Sequence, residues 1–229
     1  MKILALETST MLGGVAIADE HGLIAEIRLN VKTTHSERMM TAIDWALKQS
    51  DMTLDEIDTI AVASGPGSFT GLRIGLATAK GLCYATGKPL VLVSTLEALA
   101  WNFPYCRYPV CVMLDARKGE VYAALFLWKG DTFVTLVPET SIRPEDLLRD
   151  GDGPVVLAGE GAIRYWDRIL SAIGEKALVA PLHKMVPSPS NIALLGVHRA
   201  QRSEYADPAT AEPLYVRKSE AEVTWSERL

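Results

Sequence analysis

The stretch from Ile57 to Gly75 constrains the fold more than any other part of the chain. An apolar strand, Ile57 to Ala63, runs through the loop Ser64 to Thr70 straight into a helix. A strand that stays apolar along its length, instead of alternating, needs both of its faces covered, so helices are expected on either side of a sheet. The loop belongs to the run Gly65-Pro66-Gly67-Ser68-Phe69-Thr70-Gly71-Leu72-Arg73-Ile74-Gly75. Such a glycine-rich loop opening a helix has two readings. Its backbone N–H groups at Gly65, Gly67 and Ser68 can receive a phosphate, helped by the helix dipole. Alternatively, the glycines only supply tight turns and close packing. It is not a P-loop, because Gly-x-x-x-x-Gly-Lys-Ser/Thr is absent.

The flanking elements repeat in order. Lys2 to Glu7, Gly13 to Ala18 and Gly22 to Leu29 read as an antiparallel meander, with a turn at Asp19 to Gly22. Thr34 and Glu37 form a capping-box pattern, and the helix that follows places Met39, Ile43, Ala46 and Leu47 on one apolar stripe. The glycine-rich helix ends at Gly87 and Pro89, Leu90 to Val93 is the next strand, and Ser94 with Glu97 caps another helix. A second pass starts after Asn102 to Tyr108. Its strands are Val110 to Asp115, Glu120 to Leu127 and Phe133 to Val137, with a short helix near Glu145 to Arg149. Val155 to Ala158 is a further strand, Ile163 to Ile173 and Ser190 to Gln201 are helices, and a polar tail closes the chain. The order β-β-β-α-β-α-β-α is the unit of ribonuclease H-like and actin-like folds. The expectation is an α/β protein of two lobes, 1–104 and 105–229, each led by an antiparallel hairpin and the second one short.

An apolar fraction of 48% over 229 residues fills a proper core, and no apolar run approaches the roughly 20 residues of a membrane span. Ile3-Leu4-Ala5-Leu6, closed by Glu7, is too short for a signal peptide, so a cytoplasmic protein is expected. Cys83, Cys106 and Cys111 form neither a paired framework nor a Cys-x-x-Cys motif. A net charge of −5 disfavours an unaided grip on RNA. His35, Glu37 and Asp44 make no metal site by spacing, and Glu7, Asp19 and Asp115 stand at strand ends without any sign that they converge. Thr8, Ser9 and Thr10 offer hydroxyls but no nucleophile elbow. Small residues Gly71, Gly75 and Ala79 recur every fourth position, which admits either an internal helix or a second chain.

Glu7-Thr8-Ser9 with Gly14-Val15-Ala16-Ile17, the segment Gly65 to Gly75, Ala79-Lys80-Gly81-Leu82 and Pro213-Leu214-Tyr215-Val216-Arg217 together resemble the bacterial TsaB (YeaZ) family. The resemblance spans the chain. It implies an actin-like fold and a part in the transfer of a threonylcarbamoyl group to tRNA adenosine, at position 37. The partners it implies are a TsaD-like catalytic paralogue and a TsaE-like ATPase, with tRNA held only through the complex and no membrane contact. Where the catalytic relative keeps two metal-binding histidines this chain has Thr95 and Leu99, and where that relative has an Asp-Glu pair it has Met11 and Leu12. The resemblance therefore points to a scaffold subunit, with ATP and metal expected in the partners and no cofactor required here.

The partner surface is expected on the helix near His35, through Met39, Ile43 and Leu47, and on the glycine-rich helix, through Arg73, Leu76, Ala79 and Lys80. The same patch should support a homodimer when the partner is missing. Two other readings remain: an ATP-dependent phosphotransferase or peptidase of the actin-like superfamily, and a homodimeric binding protein with an unrelated ligand.

Overall fold

The computed structural model describes residues 1–30, 35–149 and 151–217, and the capping-box residue Thr34 lies outside them. The first lobe contains β1 (Ile3–Glu7), β2 (Gly13–Asp19), β3 (Gly22–Leu29), α1 (His35–Gln49), β4 (Thr59–Gly65), α2 (Phe69–Thr86), β5 (Leu90–Ser94) and α3 (Thr95–Ala100). There follow β6 (Val110–Arg117), β7 (Glu120–Lys129), β8 (Thr132–Ile142), α4 (Pro144–Leu148), β9 (Val155–Ala158), α5 (Glu160–Arg164), α6 (Trp166–Ile173), β10 (Ala177–Val179) and α7 (Pro189–Gln201). The strands form two five-stranded sheets, ordered β3-β2-β1-β4-β5 and β8-β7-β6-β9-β10. In each, an antiparallel meander of three strands continues into two parallel ones. The same topology used twice is the actin-like arrangement.

Alternation along the strands decides what each face meets. Leu4, Leu6, Val15, Ile17, Ile60 and Val62 pack under α1 and α2 against Met39, Ile43, Leu76 and Ala79. Ile3, Ala5, Ala16, Ala61 and Ala63 pack on the other face against Ile192, Ala193 and Val197 of α7. Every residue of β1 and β4 is buried, which is why neither strand alternates with polar residues.

The division of the chain at residue 104/105 needs correcting. The second sheet does begin after that point, but α7 returns to cover the first sheet, and the segment after it bonds back to β5 through Ala206 N–H and Leu90 O at 2.8 Å. The lobes are also joined by α3, whose Leu96, Leu99 and Ala100 pack with Val110, Val112 and Leu114 of β6. The expected helix Ile163 to Ile173 is broken at Tyr165 (φ −110°, ψ 22°), which ends α5 and starts α6. The expected strand Phe133 to Val137 extends to eleven residues as β8, at the sheet edge.

Candidate functional site

The glycine-rich loop is held from both sides. Gly65 has φ +121°, and a β-carbon there would lie 2.8 Å from Leu214 O; at Gly67 it would lie 2.6 Å from Ser9 O. Ser68 donates its N–H to Ser9 O at 2.7 Å and caps α2 by accepting from Gly71 N–H at 3.3 Å. The first turn of α2 thus spends one of its free donors on its own cap, and the glycines let two other segments of backbone approach. The packing account of this loop explains each of Gly65, Gly67 and Ser68.

The segment Glu7 to Thr10 lies beneath this loop and is buried, because Glu7 ends the central strand β1 between β2 and β4. Glu7 Oε1 accepts from Ser9 N–H at 2.6 Å and from Ser9 Oγ at 2.5 Å, while Oε2 has no partner among the described residues. Burial pushes this carboxyl up to about 7; the Ser9 bonds and the charge of Arg28 oppose the shift only in part. Thr8 Oγ1 is buried without a partner as well, against α2 at Gly71 and Gly75.

Asp115, near the end of β6, is tied into the second lobe. It accepts from Tyr165 Oη at 2.9 Å and Arg117 N–H at 3.0 Å, and Arg164 Nε stands 3.5 Å away. Glu160 beside it is raised by burial first and then by the Asp115 charge. Glu7 and Asp115 share no hydrogen-bond partner among the described residues. Asp19 instead closes the first hairpin by accepting from His21 N–H at 2.8 Å.

Thr95 opens α3 and is fully buried, its Oγ1 without a partner among the described residues, and Leu99 is fully buried in the apolar core between the lobes. Met11 is exposed, and its carbonyl accepts from Arg38 Nη2 at 2.8 Å. Among the described residues no group of three or more His, Cys, Asp or Glu is arranged to hold a metal ion. Burial raises the thiols of Cys83, to about 11, and Cys111, so both remain protonated at neutral pH.

The expected partner residues divide sharply. Met39, Ile43, Leu47, Leu76 and Ala79 are buried in this chain's own core, against Leu4, Leu6, Ile17 and Val62, and so are not available to a partner. The reason is that α1 and α2 share one face of the first sheet, where Ala211 of the returning tail packs with them. Ile43, 3% exposed, and Leu76, 4% exposed, would therefore disrupt folding if changed to glutamate, and would not report on association. Arg73 is exposed and Lys80 half-buried, with Lys80 Nζ donating to Ala209 O at 3.3 Å. The outward faces carry apolar groups of their own. Trp45 is 53% exposed, Met40 54% and Tyr84 95%, and Ala77 and Gly81 are exposed beside them on α2. A tryptophan between Asp44 and Lys48 on the polar side of an amphipathic helix was the legible sign of this surface.

Comparisons with known proteins find a family model described as TsaD and relatives described as TsaB. The family model of TsaD, tRNA N6-adenosine threonylcarbamoyltransferase, matches residues 23–225. The tRNA threonylcarbamoyladenosine biosynthesis protein TsaB of Bacillus subtilis is 35% identical over 230 residues, covering 99% of each chain. The protein of the same description from Escherichia coli is 28% identical over 234 residues, covering 96% of each. The solved structure of YeaZ from Pseudomonas aeruginosa superposes with a TM-score of 0.80 at 27% identity, over 93% of this chain and 99% of that one. No helix among the described residues is long and apolar enough to cross a membrane.

Proposed function

Because the chain belongs to the TsaB (YeaZ) family, we propose that it is a non-catalytic subunit of the assembly that transfers a threonylcarbamoyl group to a tRNA adenosine. It pairs with a TsaD-like paralogue and, with it, engages a TsaE-like ATPase; ATP and metal are held by those subunits. The observation that carries the non-catalytic reading is the burial of Thr95 and Leu99. The resemblance puts metal ligands at these positions, and here one is a hydroxyl sealed from solvent and the other a core leucine.

The docking surface in this reading is the outward face of α1 and α2, with Trp45 and Tyr84 as its large apolar groups. Surface aromatics of this size are the usual energetic centre of an interface. In the absence of the paralogue, two copies use the same face, since a two-fold contact repeats one patch.

Light scattering on the chain mixed with a TsaD-like subunit should give the mass of a heteromeric complex. Threonylcarbamoyl transfer should require both proteins and the ATPase. Nucleotide turnover by the isolated chain, lost in Glu7→Gln or Asp115→Asn, would replace this reading with a phosphotransferase. Trp45→Glu should leave circular dichroism and melting unchanged and weaken association roughly 30-fold or more, the scale of a lost hot spot. Equal affinity of the Trp45→Glu and wild-type chains would move the interface elsewhere.

A further inference from the structure

We propose that Arg73 is the anion-recognition element of the docking face, a guanidinium held ready to receive a carboxylate side chain of the partner protein. The inference rests on the docking reading above and specifies its chemistry. The Arg73 guanidinium carbon lies 3.7 Å from the centroid of the Phe69 ring, and Nε donates to Tyr215 Oη at 3.0 Å. The two rings themselves are 5.2 Å apart, so they brace the guanidinium together. Both terminal nitrogens, Nη1 and Nη2, have no hydrogen bond or carboxylate partner among the described residues. Arg143, Arg168, Arg199 and Arg217, by contrast, each pair with a carboxylate.

The brace is anchored at both ends. Phe69 is the first residue of α2. Tyr215 belongs to the returning tail, which donates Leu214 N–H to Ser64 O at 2.7 Å and pairs Arg217 with Glu120 of the second lobe, at 3.3 Å. A guanidinium restrained in this way has already lost much of its rotamer freedom, and its paired N–H groups match the two oxygens of a carboxylate. Arg73 also heads the exposed stripe of α2 that continues through Ala77 and Gly81 to Tyr84. An apolar surface ending in one oriented cation fits a protein partner with an acidic residue at the matching end. A phosphodiester backbone is the weaker match, since the stripe beyond Arg73 is apolar and the chain carries a net charge of −5.

The test is affinity for the purified TsaD-like subunit at low and high salt, measured for wild type, Arg73→Lys, Arg73→Glu and Tyr215→Phe, with melting curves for each. Arg73→Glu should bind roughly 30-fold or more weakly, the usual scale for a broken interfacial charge pair. Arg73→Lys keeps the charge but not the fork and should lose about tenfold, and Tyr215→Phe, which frees Nε, should lose less. Unchanged affinity with lowered melting temperatures would mean that Arg73 only clamps the tail, and would overturn the proposal. It is overturned equally if partner affinity is unchanged while the assembly binds a tRNA transcript more weakly. Failure of the wild-type chain to bind the subunit at all would remove the docking reading together with this one.

Discussion

Glu7→Gln should flatten the pH dependence of stability between pH 5 and pH 8.5 by about 3 kcal/mol relative to wild type. The wild-type carboxyl stands at about 7 in the folded chain against an ordinary value near 4.5, chiefly because burial penalises its charged form. A carboxyl raised on folding contributes stability that is complete below the unfolded value and is lost as pH rises through the folded one. Each pH unit of that gap is worth about 1.4 kcal/mol, so the loss is complete above about pH 8. Glutamine keeps the Oε1 acceptor for both Ser9 bonds and cannot ionise. The comparison is therefore best made as a difference of differences: denaturant melts of both proteins at pH 5 and at pH 8.5. Whatever glutamine costs by placing an amide where Oε2 has no partner is common to both pH values and cancels. Parallel pH profiles for the two proteins would show that Glu7 ionises normally, with Arg28 supplying more compensation than burial removes.

The hairpin-led repeat was legible because turns and apolar runs are local. Asp19 to Gly22 and Ala116 to Gly119 mark the two hairpins, and the apolar stretch ending at Ala63 marks a strand covered on both faces. The return of α7 was not legible. An amphipathic pattern states that a helix has a core face, but Ile192, Ala193 and Val197 carry no sign of which sheet they meet. The break at Tyr165 has no glycine or proline to announce it, and β10 is three residues long, too short for any period to register. The same gap between pattern and placement misdirected the partner face. The stripe Met39, Ile43 and Leu47 does mark an apolar surface, but the sheet of the same chain consumes it, which leaves Trp45 and Tyr84 outside. Glu7 reads only as a carboxylate at a strand end, yet it is sealed because β1 is the central strand of its sheet.

Gly71→Ala should destabilise the protein by about 3 kcal/mol or more, against the trend for glycine in a helix. Helix propensity alone favours alanine by about 1 kcal/mol. Packing opposes it. A β-carbon at position 71 would lie 2.0 Å from Thr8 O, and the obstacle is backbone at the end of the buried strand β1, which cannot rotate aside. Relief requires the eighteen-residue α2 to lift from the sheet by about 1 Å, parting Leu76, Ala79 and Leu82 from the core they fill. Overpacking usually costs 1–3 kcal/mol, and a rigid obstacle puts this site at or beyond the upper end. Two neighbours on the same helix calibrate the claim. At Gly75 the β-carbon would lie 2.2 Å from Thr8 Oγ1, a side-chain atom that can turn, so Gly75→Ala should lose less. At Gly81 nothing lies within 4 Å, so Gly81→Ala should gain up to about 1 kcal/mol from propensity alone. Chemical denaturation of the three variants should rank them in that order. If Gly71→Ala were as stable as Gly81→Ala, α2 would not approach β1 as closely as the fold requires.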